Sequence, residues 1–139
     1  MSPLKVNSTH EKYKYAGYWP RMWAYNADLF ILLVIYYLLS WLVPNDRILY
    51  LICFLVTLIY HAGFESSPWQ ATPGKRIQQI KVTDYNDNPI SFWKALLRFN
   101  LKILSLALFY IGFIMIGTTK KKQGLHDIII NTLVQQKAE

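Results

Sequence analysis

The chain has 139 residues, one domain's worth, with no room for a catalytic module beside a separate membrane anchor. Hydrophobic residues make up 53% and charged residues only 17%, against roughly a quarter charged in a soluble domain. The net charge of +7 invites a nucleic-acid reading, but nucleic-acid binders need a basic face on a water-soluble core. Here the charges flank apolar runs instead, which excludes that class of partner.

Residues 22–44 carry a single charge, Asp28, and residues 48–64 and 103–117 carry no Asp, Glu, Lys or Arg. Of the 15 Lys and Arg residues, only Arg47 falls between the first two of these runs. That asymmetry is the positive-inside pattern and predicts a cytoplasmic N-terminus. One cysteine, Cys53, excludes an internal disulfide framework and a multi-cysteine metal site.

Residues 1–15 read as a polar cytoplasmic tail with no apolar h-region, so the first apolar run itself directs insertion. The first membrane helix is predicted over residues 19–43, long enough to cross with some tilt. Tyr18, Trp19, Trp23 and Tyr25 mark its inner end and Trp41 its outer end, as aromatic belts do. Pro44, Asn45 and Asp46 make a turn, and a second helix returns over residues 48–64.

Residues 65–94 are of another kind. Turn formers give way to Ile80 and Val82 alternating with polar neighbours, a strand pattern. Asn86 to Pro89 signal a turn, and Ile90, Ser91 and Phe92 are the expected return strand of a β-hairpin or extended loop. Residues 99–117 admit two readings: a single span, or a re-entrant pair of short helices breaking near residues 110–112, which keeps Lys120, Lys121 and Lys122 inside. Residues 125–134 are too short to span and are expected as an interfacial or packed helix, followed by a polar tail, 135–139. The fold class is thus an all-α membrane protein: a transmembrane hairpin, a third apolar segment and a cytoplasmic extended element.

Asp28 is the most informative residue. A carboxylate in the apolar part of a membrane helix costs about 2.5–3.5 kcal/mol and must face a partner. Arg21 lies seven residues earlier, on the same helix face. Either Asp28 glues helices together or it is an ion or proton site.

The segments 69–76 (WQATPGKR), 102–117 and 121–127 (KKQGLHD) resemble the RDD family of small bacterial multi-pass membrane proteins, across residues 16–134. The resemblance maps the family's arginine and two aspartates onto Arg21, Asp28 and Asp127. Asn131 stands where the family often carries glycine. It implies residence in the bacterial cytoplasmic membrane and a cluster of one fixed cation between two carboxylates. Asp127 would then share a side with Arg21, which favours an inward C-terminus. Some members are described as cation/proton antiporters, and related domains occur in assembly factors.

His61, Glu65 and His126 are secondary candidates that could furnish metal ligands, though no tight multi-ligand motif is present and neither a metal nor a cofactor is expected. The favoured reading has His61 hydrogen-bonding a neighbouring helix and Glu65 in the headgroup layer, pairing with a nearby Lys or Arg. Thr72 to Arg76 lack the full spacing of a phosphate loop, so Lys75 and Arg76, with Lys120, Lys121 and Lys122, are expected on anionic headgroups. No serine sits in a nucleophile context, and the chain is not expected to be an enzyme. Two functions remain. One is an oligomer exchanging a monovalent cation for protons through Asp28 and Asp127; the other is a non-catalytic subunit or assembly factor of a larger membrane complex.

Overall fold

A backbone leaving water must satisfy its own amides and carbonyls, and the two long apolar runs do so as helices. The computed structural model describes residues 13–107 and 111–138. A short strand β1 (Tyr13–Tyr15) leads into α1 (Tyr18–Leu42) and α2 (Asp46–Ser66). At 25 and 21 residues, both helices are long and apolar enough to cross a membrane. Val43 is extended ahead of Pro44, which ends α1. Asn45 caps α2 by accepting from the Ile48 N–H at 3.2 Å.

A one-turn helix α3 (Pro73–Ile77) and strand β2 (Ile80–Asp84) follow. The remaining elements are α4 (Phe92–Ala107), α5 (Ile111–Thr118), α6 (Leu125–Ile130) and β3 (Thr132–Lys137). The all-α membrane class holds, but the extended element is not a hairpin. β2 forms where the alternation predicts, yet its partner is β3, antiparallel, with Val82 opposite Val134. β1 pairs on the other side of β3, Tyr15 opposite Gln135, giving the order β1-β3-β2.

The physical reason lies in the turn after β2. The Asp84 carboxylate accepts the N–H groups of Asn86 and Asn88 at 2.8 and 2.9 Å, and Ile90 is buried before Phe92 opens α4. A two-stranded ribbon is marginal alone; a third strand and a helical layer make this one stable. The expected helix over 125–134 stops at Ile130. Asn131 takes a left-handed conformation (φ 56°, ψ 54°) that ends it, and the chain continues as strand to Lys137. Residues 1–12 of the expected tail lie outside the described residues, while Tyr13–Tyr15 belong to the sheet.

The third apolar segment is a returning pair of helices. Lys122, just beyond α5, and Arg98, in α4, are held at the same end of the molecule by Arg21 and Asp127. The break expected near residues 110–112 falls partly outside the described residues, with α5 beginning at Ile111. α5 packs on α4, α6 and α1.

The distribution of polarity is inverted relative to a water-soluble protein. In α1 only the stripe Arg21, Ala24, Asp28 and Leu32 is buried, and in α4 only Ala95, Arg98, Lys102 and Ser105. Phe30, Tyr37, Trp41, Leu51, Trp93 and Leu104 are exposed. A helix that hides its charges and shows its hydrophobes is placed for lipid. The apolar core itself is small, and it lies between sheet and helices: Ala16, Ala24, Ala62, Ile80, Val82, Ile90, Ala95 and Val134.

Candidate functional site

Asp127 lies in the first turn of α6, where it accepts the Gly124 N–H at 3.1 Å. Its carboxylate sits between two guanidinium groups. Arg21 Nη1 donates to Oδ2 at 2.6 Å, and Arg98 donates to Oδ1 through Nε at 2.9 Å, with Nη2 2.8 Å away. Arg21 is further fixed by donating to the carbonyls of Ala16 (3.1 Å) and Lys122 (2.5 Å). Burial works against the charge on Asp127, but Arg98 and Arg21 outweigh it and hold the carboxyl far below its usual range.

Arg98 carries the arrangement onward, donating from Nη1 to Glu65 Oε2 at 2.6 Å. The other Glu65 oxygen accepts from Lys75 Nζ and lies 3.6 Å from Lys102 Nζ. Glu65 is 1% exposed and Lys75 1%. This corrects the expectation for both: neither reaches a headgroup, because each is the other's counter-charge under the α2–α4 contact. Burial pushes the Lys75 ammonium down to about 8, with Glu65 opposing that shift. Lys102 Nζ also sits over the Tyr25 ring, 4.9 Å from its centroid.

Asp28 stands apart from this chain of ion pairs. Its carboxylate accepts from Tyr60 Oη at 2.8 Å, Thr72 Oγ1 at 2.5 Å and the Gly74 N–H at 2.8 Å. The structure therefore joins Arg21 directly to Asp127 but not to Asp28, although all three are buried. Gly74 is required here. A Cβ on it would come within 2.2 Å of the Ala24 carbonyl oxygen and 2.8 Å of the Asp28 carboxyl, so only glycine lets α3 lie on α1.

The segment 71–76 thereby acquires a physical reading. Thr72 caps α3 and holds Asp28, and Pro73 starts the helix. Gly74 permits the close approach, Lys75 reaches Glu65, and Arg76 stacks on Trp69 with its guanidinium 4.2 Å from the ring centroid. Arg76, Lys120, Lys121 and Lys122 are exposed.

His61 stacks on Phe99 at 4.6 Å between centroids. His126 Nε2 is 3.5 Å from Asp127 Oδ1, and burial keeps its imidazole neutral, pushing it down to about 3. No group of three or more His, Cys, Asp or Glu side chains able to hold a metal occurs among the described residues.

Arg98 and Lys102 went unrecognised as site residues in the sequence, though a signal exists. Positions 95, 98, 102 and 105 form a narrow polar or small stripe along a helix whose other residues, Lys94 and Asn100 apart, are apolar, the pattern of a membrane helix facing a buried counter-charge.

The sequence profile of the RDD family matches residues 15–131, a stretch that takes in Arg21, Asp28 and Asp127 and stops before β3. The chain belongs to the RDD family. Among relatives, the uncharacterized protein YxaI of Bacillus subtilis (strain 168) is 40% identical over 87 residues, 63% of this chain. The match spans 57% of that relative's length. No solved structure matches the chain. The RDD assignment and the two long apolar helices make this a membrane protein.

Proposed function

We propose that this RDD protein exchanges a monovalent cation for protons, as an oligomer in the bacterial cytoplasmic membrane, with Asp28 as the exchanging carboxylate. One observation carries the reading. Among the described buried carboxylates, Asp127 and Glu65 are already met by Arg21, Arg98 and Lys75, whereas Asp28 is held by two hydroxyls and one amide. The ion-paired chain carries four cations, Arg21, Lys75, Arg98 and Lys102, on two carboxylates, so it has no negative charge to offer a cation.

A hydroxyl both donates and accepts. Tyr60 and Thr72 can donate to an ionised Asp28 or turn a lone pair towards a cation beside it. A proton on Asp28 removes the charge that holds the cation, which is the minimum requirement for exchange. The Arg21–Asp127–Arg98 arrangement then serves as the anchor rather than the carrier. The positive-inside asymmetry orients the sheet and both termini towards the cytoplasm. Two short hairpins enclose no pathway alone, and the exposed apolar faces of α1 and α2 suit contact with further copies.

The test is cation-dependent proton exchange in everted vesicles, comparing wild type with Asp28→Asn, Tyr60→Phe and Asp127→Asn. Asp28→Asn should abolish exchange at unchanged protein level, and Tyr60→Phe should weaken cation affinity. Asp127→Asn should lower the amount of folded protein. Exchange that survives Asp28→Asn sinks the reading. Absence of exchange with any monovalent cation favours the second one, a non-catalytic subunit or assembly factor, which the apolar faces of α1 and α2 also suit.

A further inference from the structure

The sheet has a second face. Ile80, Val82 and Val134 point into the apolar core, so the alternating residues of the same strands point away from it. On that side lies a cavity of about 760 Å³, within the range that small ligands occupy. Its lining has Lys81, Lys121 and Lys122, with Tyr13 and Tyr85 beside them and Gln135 beneath. A cross-strand row, Tyr15 opposite Gln135 and Gln135 opposite Lys81, forms its floor.

We propose that this cavity binds a phosphate-bearing group. Three features carry the inference. First, the lysine ammoniums are held in place: Lys81 Nζ sits 3.9 Å from the Tyr13 ring centroid and Lys121 Nζ 4.8 Å from that of Tyr85. Tyr85 is itself fixed, its hydroxyl accepting from Gln123 Nε2 at 3.1 Å. Second, the carboxylate in the lining, Asp87, is occupied by Gln135, whose Nε2 donates to Oδ1 at 2.7 Å. The lining still sets Lys14, Lys81, Lys121 and Lys122 against that single carboxylate, which leaves the cavity net positive. Third, the wall connects to the buried anchor, because the carbonyl of Lys122 accepts from Arg21 Nη2. An anion drawn to the Lys122 side chain bears on the same turn that fixes Arg21 against Asp127.

Lysine suits phosphoryl oxygens as a point charge that accepts several geometries. The phosphate can belong to a lipid headgroup or to a soluble molecule, since the chemistry is shared. The site makes no use of Asp28 and stands independently of cation exchange.

The experiment uses the full chain in detergent and in nanodiscs, with inorganic pyrophosphate as the soluble probe at matched ionic strength. Pyrophosphate should raise the thermal unfolding midpoint saturably. Lys81→Glu and Lys121→Glu should each weaken that response about tenfold or more, the loss expected when a hydrogen bond between charged groups is removed. Tyr13→Leu keeps every charge but removes the ring under Lys81, and should weaken it less. Lys120→Glu makes the same charge change outside the cavity and should leave the response unaltered. In nanodiscs, stabilisation by phosphatidylglycerol over phosphatidylcholine that needs Lys81, and that pyrophosphate competes away, identifies a lipid headgroup. Stabilisation by pyrophosphate alone identifies a soluble ligand. The proposal is overturned if Lys120→Glu acts like Lys81→Glu, or if neither probe gives a Lys81-dependent effect.

Discussion

At their polar ends, α1 and α2 are held through buried ionisable groups: Arg21 and Asp28 on one helix, Glu65 on the other, reached by Lys75, Arg98 and Asp127 from α3, α4 and α6. Over their far halves the same two helices share one described side-chain hydrogen bond, from Tyr36 to Thr57, while Leu38, Trp41, Tyr50 and Leu51 face outward. The contrast follows from the solvent. Apolar helix faces gain little by leaving lipid for each other, whereas a charge shielded from both lipid and water must have a partner. Stability is therefore concentrated at one end, and the other end is free to meet lipid or further copies of the chain.

Asp127→Ala tests that contrast most severely. It leaves Arg21 and Arg98 buried without their shared carboxylate, a change that costs about 3–5 kcal/mol. Denaturant unfolding in mixed micelles should show a loss of that order, and a loss below about 1 kcal/mol would show that the cluster is not the anchor. Gly74→Ala should rank next, at about 1–3 kcal/mol or more, since its methyl overlaps the Ala24 carbonyl and packed backbone cannot yield as a side chain can. The same substitution at Gly63, whose Cβ would meet nothing within 4 Å, is the matched control and should be neutral or slightly stabilising.

The pH dependence sharpens the same point. His126 is buried neutral, its pKa lowered from 6.5 to about 3 by burial, so the unfolded chain takes up a proton that the folded one refuses. Stability should accordingly fall as pH drops below 6.5, by at most about 1.4 kcal/mol per pH unit for one such group. Below the ordinary aspartate value of 3.8, the unfolded chain's Asp127 takes up a proton while the folded carboxylate keeps its charge, which should steepen the decline. Replacing His126 by Phe should flatten the limb between pH 6 and pH 4 in thermal melts, about the window set by the shift. An unchanged limb would assign it elsewhere. The smallest effect belongs to the far half: Tyr36→Phe removes one part-buried hydrogen bond and should cost about 0.5–1.5 kcal/mol. A cost matching that of Asp127→Ala would erase the distinction between the two ends.

Much of this was legible along the chain. Runs carrying no charge but Asp28 marked α1 and α2, because only a helix satisfies its own backbone in lipid. Asp28 announced a buried partner by its cost, and the Lys and Arg asymmetry marked which ends are polar. Ile80 and Val82 gave β2 by alternation.

What the tertiary structure alone decided is who meets whom. The strand partner of β2 is some 50 residues away at Thr132–Lys137, and no local pattern encodes a pairing across that distance. Lys75 and Glu65 read as interfacial charges because a sequence shows charge but not burial; α4 closing over α2 removes them from water. Asp28 and Asp127, two carboxylates of one sequence signature, end in opposite electrostatic settings: one beside hydroxyls and an amide, the other between two guanidiniums. Residue type sets that each must be neutralised or hydrogen-bonded, and the packing of α3, α4 and α6 on α1 and α2 sets by what.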